Sequence, residues 1–154
     1  MVIALTCIFC FMVSIGISTA LDTAGYRLDE SVRALLDVTD LVLLDYKYTN
    51  AEDYLRHTGC EMTRVDEFLT YLQEIEKPTW LRHVLIPGYN DNEESMRCLA
   101  AIRERFTCIA RVELLPFRKL CLEKYRQMEI PFPLEDTPEM PPERVEQLRI
   151  SAGL

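Results

Sequence analysis

The sequence predicts an α/β fold with about four parallel strands. Short apolar runs alternate along the chain with amphipathic stretches of helical period, and the connections between them are short. This alternation is typical of parallel strands joined by right-handed crossovers, with helices covering the sheet. The run at residues 41–44 illustrates the strands, because four consecutive apolar residues suit a strand buried on both faces.

Polar or charged groups follow three of the four predicted strands. The strands are expected at residues 16–22, 41–45, 80–86 and 109–115. The groups at their ends are Asp22 with Thr23, Asp45 with Lys47, and Arg118. Asp45 and Lys47 are spaced by two residues, so an extended chain points both side chains to one face. Ligands bind at this end of the strands in α/β sheets and barrels, although the simpler interpretation of the segment alone is an exposed ion pair.

The third predicted strand carries Arg82 and is followed by a turn at Pro87 and Gly88. Its neighbour His83 points to the opposite face of the strand, because side chains alternate along an extended chain. No second histidine lies at a ligand spacing from His83. We therefore interpret His83 as a packed or surface residue and not as a base.

Helices are predicted between the strands and at the C-terminus. Apolar faces of helical period occur within residues 28–36, 65–75, 96–106 and 145–148. Asp29 is the expected N-cap of the first of these helices. Residues 48–62 are polar and mixed; Glu52 and Asp53 indicate a helix start, and a turn is expected at residues 58–60. Residues 125–142 contain five prolines and are expected to be irregular.

Residues 1–21 carry no charge, and two interpretations of this stretch are open. Its length and hydropathy would allow a signal sequence or one membrane span. No Lys or Arg precedes Arg27, however, so the positive flank of a signal peptide is missing. We therefore expect an atypical apolar segment at residues 1–15 and one domain over residues 16–154, and we do not expect the protein at a membrane.

Charge and cysteine content narrow the class of protein. The net charge of -8 argues against a nucleic-acid partner, because no basic patch is available to meet phosphates. The six cysteines are Cys7, Cys10, Cys60, Cys98, Cys108 and Cys121. A single CxxC is too few ligands for a metal site, and the spacing differs from that of a small disulfide-rich domain. We expect reduced thiols and a cytoplasmic protein.

Four segments together make the chain resemble a known family. They are ALDTAGY at residues 20–26, TDLVLLDYK at 39–47, WLRHVLIPGYND at 80–91 and VELLPF at 112–117. They resemble, in order and spacing, the C-terminal part of the radical S-adenosylmethionine (SAM) enzymes that activate glycyl-radical enzymes. The resemblance is closest to the pyruvate formate-lyase activating type. It implies the C-terminal part of a partial (β/α)6 barrel.

The resemblance also implies roles for the groups at the strand ends. Asp45 and Lys47 would hold the amino-acid end of SAM, since a carboxylate pairs with an ammonium and a lysine with a carboxylate. Arg82 would assist at the same carboxylate. Asp22 would lie at a monovalent-cation and SAM site, with Thr23 beside it.

A surface for a partner protein is implied as well. The partner would be a glycyl-radical enzyme such as pyruvate formate-lyase, and its glycine loop would dock at Val84, Ile86, Pro87, Gly88 and Tyr89. Some members of the family have a SAM-contacting histidine after the LLP-aromatic motif. Arg118 occupies that position here and keeps a basic donor there.

One departure from the family decides the expected activity. The family needs a CxxxCxxC loop that holds a [4Fe-4S] cluster next to SAM, and also a GGEP stretch; neither occurs in the sequence. The family uses its cluster to generate a 5'-deoxyadenosyl radical from SAM, which then makes a glycyl radical on the partner. We expect a truncated activating enzyme without iron-sulfur ligands or an assigned catalytic residue, inactive alone. The alternatives are a non-catalytic partner-docking module or one half of a split activating enzyme.

Overall fold

The structure, a computed structural model, describes residues 2–154 as alternating helices and strands. The helices are α1 (Val2–Ser14), α2 (Glu30–Asp37), α3 (Ala51–Thr58), α4 (Met62–Glu74), α5 (Glu93–Arg105), α6 (Leu122–Gln127) and α7 (Pro142–Ala152). The strands are β1 (Ala20–Thr23), β2 (Leu41–Asp45), β3 (Thr79–Leu85) and β4 (Ile109–Pro116). The predicted α/β class and the four strands are confirmed.

The four strands form one parallel sheet in the order β1-β2-β3-β4. Neighbours in the sheet are therefore neighbours in sequence, as successive crossovers of one hand produce. The register aligns Asp22 with Leu43 on β2, and Asp45 with Arg82 on β3. This alignment brings charged residues of three strands to one edge of the sheet.

The two faces of the sheet differ in burial. Alternate residues of β2 and β3 are buried in the core, whereas the residues between them are half-buried. The buried set is Val42, Leu44, Thr79, Leu81, His83 and Leu85, and it packs with apolar side chains from the helices. Because the period of a strand is two, Asp45 and Arg82 lie together on the less buried face. The confirmed packing of His83 in the core follows from the same alternation.

The N-terminal region differs from the prediction of a buried strand over residues 16–22. β1 covers only Ala20–Thr23, and two of its four residues are exposed. Its position at the edge of the sheet accounts for this exposure, because within residues 2–154 it pairs with β2 alone. α1 precedes it and contacts α2. The division into residues 1–15 and 16–154 stays a prediction.

Two short helices were predicted only in part or not at all. The helix start indicated by Glu52 and Asp53 is confirmed, because both residues lie in the first turn of α3. α6 was not predicted and overlaps the start of the proline-rich region. α3 buries only Tyr54, and α6 buries no residue, so few apolar residues mark their extent.

The apolar N-terminal stretch forms a helix of 13 residues. Within residues 2–154, no helix combines the length and apolarity that a membrane crossing requires.

Candidate functional site

The candidate site is a cluster of four charged side chains at the carboxyl edge of β1, β2 and β3. Asp45 ends β2, Asp22 lies on β1 and Arg82 lies on β3. Lys47 follows two residues after the end of β2, on the same face as Asp45. The cluster holds two carboxylates and two cations, so it is neutral overall.

Asp45 is the centre of the cluster. Lys47 Nζ donates to Asp45 Oδ2 at 2.6 Å. Arg82 Nε donates to Asp45 Oδ1 at 2.9 Å, and Arg82 Nη2 lies 2.7 Å from the same oxygen. Both carboxylate oxygens are therefore engaged, and the side chain of Asp45 is only 21% exposed. The predicted placement of Asp45 and Lys47 on one face is confirmed.

Arg82 connects three strands through its guanidinium group. Its Nη2 atom also donates to Asp22 Oδ1 on β1, a strand that is not its neighbour in the sheet. Burial by itself would lower the pKa of Arg82, but the hydrogen bonds to Asp22 and Asp45 raise it above its ordinary value. Arg82 is therefore a permanent cation that holds the two carboxylates together.

The chain turns sharply after β1. The hydroxyl of Thr23 accepts a hydrogen bond from the backbone N–H of Gly25 at 3.1 Å. Gly25 is buried and has a φ of +66°, and a Cβ atom there would lie 2.7 Å from Leu44 Cδ1. Only glycine fits this left-handed, close-packed position. The glycine of the ALDTAGY segment thus lets the chain pass close to the core directly after Asp22 and Thr23.

Arg118, which was also predicted to bind the cofactor, has different partners. Its Nη1 atom donates to the carbonyl of Met140 at 2.6 Å and lies 3.9 Å from Glu139 Oε2. Within residues 2–154, it makes no hydrogen bond or ion pair with the four-residue cluster. The structure thus brings Asp22, Asp45, Lys47 and Arg82 together but pairs Arg118 with the segment before α7.

The residues of the predicted docking surface continue from β3 into the following turn. Val84 and Ile86 are half-buried on the face that carries Arg82, whereas Tyr89 is 37% exposed. Gly88 has a φ of +79° with open space around it. The five residues Val84, Ile86, Pro87, Gly88 and Tyr89 therefore line one accessible stretch beside the cluster.

A cavity of about 480 Å³ opens next to the cluster. Lys47, Val84 and Ile86 line one part of it. The aromatic part of the lining consists of Tyr26, after β1, and of Tyr48, Tyr54 and His57, from the segment around α3. The ring of His57 stacks on Tyr48 at 4.9 Å and meets Tyr89 edge-on at 5.3 Å. The volume of the cavity lies in the range of small-molecule sites.

Sequence reasoning did not identify the aromatic residues of this cavity. A helix start was indicated at Glu52 and Asp53, but nothing in the sequence placed this helix near Lys47. A usable signal is present nevertheless: Asn50 caps α3 by accepting from the N–H of Asp53 at 2.8 Å, and Gly59 ends the helix in a left-handed conformation.

The cysteines do not fit an iron-sulfur cluster. All six are free, and Cys7 and Cys10 are exposed on α1. In the described part of the chain, residues 2–154, no three His, Cys, Asp or Glu side chains come together in a metal-binding arrangement. No chemical step through a cluster can be derived from these residues.

The four-stranded parallel sheet and its helices form an α/β fold consistent with part of a barrel, and solved structures share this fold. A crystal structure of a radical SAM methyltransferase from Sphaerobacter thermophilus superposes with a TM-score of 0.60 at 15% identity, over 90% of this chain and 39% of that one. A domain of a pyruvate-formate lyase-activating enzyme from Bacteroides vulgatus superposes with a TM-score of 0.76 at 17% identity, over 96% and 83%. At these identities the likeness concerns the fold alone.

Sequence comparison finds curated relatives of this chain. The chain is a homologue of part of the pyruvate formate-lyase-activating enzymes, and it is 37% identical over 133 residues to that of Clostridium pasteurianum. The match covers 86% of this chain and 56% of the relative, so the chain spans about half the length of the curated relatives it matches. No protein-family model matches the sequence.

Proposed function

We propose that this chain binds the amino-acid end of SAM through Asp45, Lys47 and Arg82, as part of a pyruvate formate-lyase-activating type of enzyme. The observation that carries the proposal is the Asp45 carboxylate, held at the carboxyl edge of the sheet between a lysine and an arginine. Ligands bind at this edge in parallel α/β folds.

The chemistry of the cluster suits a zwitterion. Asp45 would accept from the ligand's ammonium, because two carboxylate oxygens offer about four acceptor sites in total. Lys47 would donate to the ligand's carboxylate, since its ammonium has three N–H donors and its hydrogen bond to Asp45 uses one of them. The amino-acid end is neutral overall, so its binding leaves the net charge of the cluster unchanged.

Asp22, Thr23 and Arg118 belong to the same proposal with smaller roles. The side chain of Asp22 is 61% exposed, and its Oδ1 atom accepts from Arg82. Its other oxygen is thus accessible to a monovalent cation, with the hydroxyl of Thr23 close in sequence. Arg118 would serve as a basic donor only after leaving the carbonyl of Met140.

The cavity beside Lys47 supports binding of the remainder of SAM. Its lining is mostly apolar and partly aromatic, which suits a purine ring. The stretch from Val84 to Tyr89 borders this cavity and would receive the glycine loop of a glycyl-radical partner such as pyruvate formate-lyase. The names of the relatives support that class of partner.

SAM bound beside a reducing cluster supplies the hydrogen-abstracting group of this family. The cysteines of residues 2–154 do not fit such a cluster. We therefore assign to this chain the holding of SAM and the docking of the partner, and we expect no reductive cleavage of SAM by the chain alone. The six free thiols support a cytoplasmic location.

Calorimetric titration of the full chain with SAM tests the proposal. The wild-type protein should bind, and Lys47→Met should weaken binding about tenfold or more, because a charge-assisted hydrogen bond is lost. Lys124→Met is the matched control, since Lys124 lies on the exposed surface of α6. No binding by the wild-type protein, or equal affinities for the two variants, would refute the proposal.

A further inference from the structure

The backbone between Asp45 and Lys47 is fixed by the residue that separates them. Tyr46 is buried, and its N–H donates to the carbonyl of Arg82 at 2.8 Å. Its hydroxyl donates to Asp66 Oδ1 at 2.8 Å. The direction of both flanking side chains depends on the placement of this one residue, since they alternate with it along the extended chain.

The carbonyl of Tyr46 has a side-chain donor, His83. The Nδ1 atom of His83 lies 2.6 Å from this oxygen, and the ring is fully buried. A carbonyl can only accept, so Nδ1 carries the proton and Nε2 is an acceptor. Burial lowers the pKa of His83 to about 4, in agreement with a neutral ring.

The acceptor nitrogen of His83 meets Asn90 in the turn after β3. Asn90 Nδ2 lies 3.1 Å from His83 Nε2 and donates also to the carbonyl of Val84 at 2.9 Å. Asn90 Oδ1 accepts from the N–H of Ile86 at 2.7 Å. Asn90 is buried, and both protons of its amide group have a partner. It therefore closes the turn that contains Pro87, Gly88 and Tyr89 and attaches it to His83.

We propose that His83 and Asn90 are positioning residues that connect the turn at residues 86–90 to the backbone between Asp45 and Lys47. A continuous chain of hydrogen bonds runs through Asn90, His83 and Tyr46. It links the turn proposed to dock the partner to the segment that carries the proposed SAM ligands Asp45 and Lys47. The link sets the position of Lys47 relative to the docking turn. Its functional meaning rests on the proposed function, whereas its geometry does not.

A pair of asparagine variants tests the link in the full chain. Asn90→Ala removes it, whereas Asn92→Ala, two residues away, removes only the cap of α5, where Asn92 Oδ1 accepts from Ser95 N–H at 2.9 Å. In ¹⁵N spectra, Asn90→Ala should shift the amide signals of Tyr46 and Lys47 and change the imidazole signals of His83. Asn92→Ala should leave these signals in place.

Titration with SAM is the second measurement. Binding should be about fivefold weaker for Asn90→Ala, which is the lower range of a coupling between sites. The affinity of Asn92→Ala for SAM should be unchanged.

A second variant covers the case in which Asn90→Ala does not fold. Asn90→Asp keeps the acceptor for Ile86 N–H but replaces the amide donor by a carboxylate oxygen that faces His83 Nε2 and the carbonyl of Val84. A proton should therefore be taken up at this contact at neutral pH and change the imidazole signals of His83. An imidazole spectrum identical to that of the wild-type protein would refute the contact.

The outcomes separate the two proposals. Unchanged Tyr46 and Lys47 signals in Asn90→Ala, or equal SAM affinities for the two alanine variants, would overturn the positioning role. Absence of SAM binding by the wild-type chain would overturn the proposed function, while the spectra would still decide whether His83 and Asn90 set the backbone at Tyr46.

Discussion

Arg82 and Asp45 face each other across neighbouring strands, with Arg82 Nε and Nη2 at 2.9 Å and 2.7 Å from the same carboxylate oxygen. The register of β2 and β3 aligns the two residues directly. Lys47 occupies the other oxygen of Asp45. The charges of the cluster thus neutralise one another. A zwitterionic ligand would bind by joining these ion pairs or by replacing one partner in them.

Replacing Arg82 by lysine should weaken SAM binding although the charge is kept. A guanidinium group contacts Asp22 and Asp45 at once, which a single ammonium on a different stem does not reproduce. We expect affinity in calorimetric titration to fall about tenfold, the equivalent of one charge-assisted hydrogen bond.

Arg111→Lys is the control for this substitution. Arg111 pairs with Glu113 at 2.9 Å on the adjacent strand β4 and is exposed. Equal losses for the two variants would show that Arg82 has no special part in the site.

Gly25→Ala should destabilise the protein far more than Gly59→Ala. Both glycines have a positive φ, of +66° and +72°, so an alanine at either position costs about 1 kcal/mol in backbone strain. Only at Gly25 would the new Cβ collide with Leu44 and Phe68, at 2.7 Å and 3.2 Å. Overpacking of this kind adds about 1–3 kcal/mol. Urea unfolding of the two variants measures the difference, and similar midpoints would contradict the close packing of Gly25.

The sequence predicted those features that depend on residues close together along the chain. The bounds of β2 follow directly from its apolar run and from the charge of Asp45, and Asp29 caps α2 as expected, accepting from Ser31 N–H and Val32 N–H. The meeting of Asp45 with Lys47 was also predictable, since it depends only on the period of two in a strand.

Contacts between strands were beyond the reach of the same reasoning. The bridge from Arg82 to Asp22 depends on the register of three strands, which the spacing of residues along the chain does not determine. The aromatic cavity was missed because α3 buries Tyr54 alone, and a helix start at Glu52 and Asp53 does not show which side chains meet Lys47. Likewise, nothing in the sequence pairs His83 with Asn90, because their contact depends on the path of the turn between them.

Stability should fall in mild acid because of His83. The pKa of His83 is lowered by burial to about 4 from an ordinary value of 6.5, with a smaller contribution in the same direction from Lys47. Between these two pH values the unfolded chain binds a proton that the folded chain does not. The stabilisation is therefore complete above about pH 6.5 and is lost as the pH falls toward 4, by about 3 kcal/mol in total.

The measurement is the free energy of unfolding in urea at several pH values, for the wild-type protein and for His83→Gln. The variant lacks this titration, so its stability should depend less steeply on pH in that window. Parallel curves for the two proteins would mean that His83 is not held neutral in the folded chain.

Binding of SAM and of 5'-methylthioadenosine, compared in the wild-type chain and in Asp45→Asn, tests the central claim most directly. Methylthioadenosine keeps the nucleoside and the sulfur but lacks the amino-acid end that Asp45, Lys47 and Arg82 are proposed to hold. We predict that the wild-type chain prefers SAM by about tenfold or more and that Asp45→Asn removes the preference without weakening methylthioadenosine. Equal affinity of the wild-type chain for the two compounds, or an undiminished preference in Asp45→Asn, would contradict the assignment of this cluster to the amino-acid end of SAM.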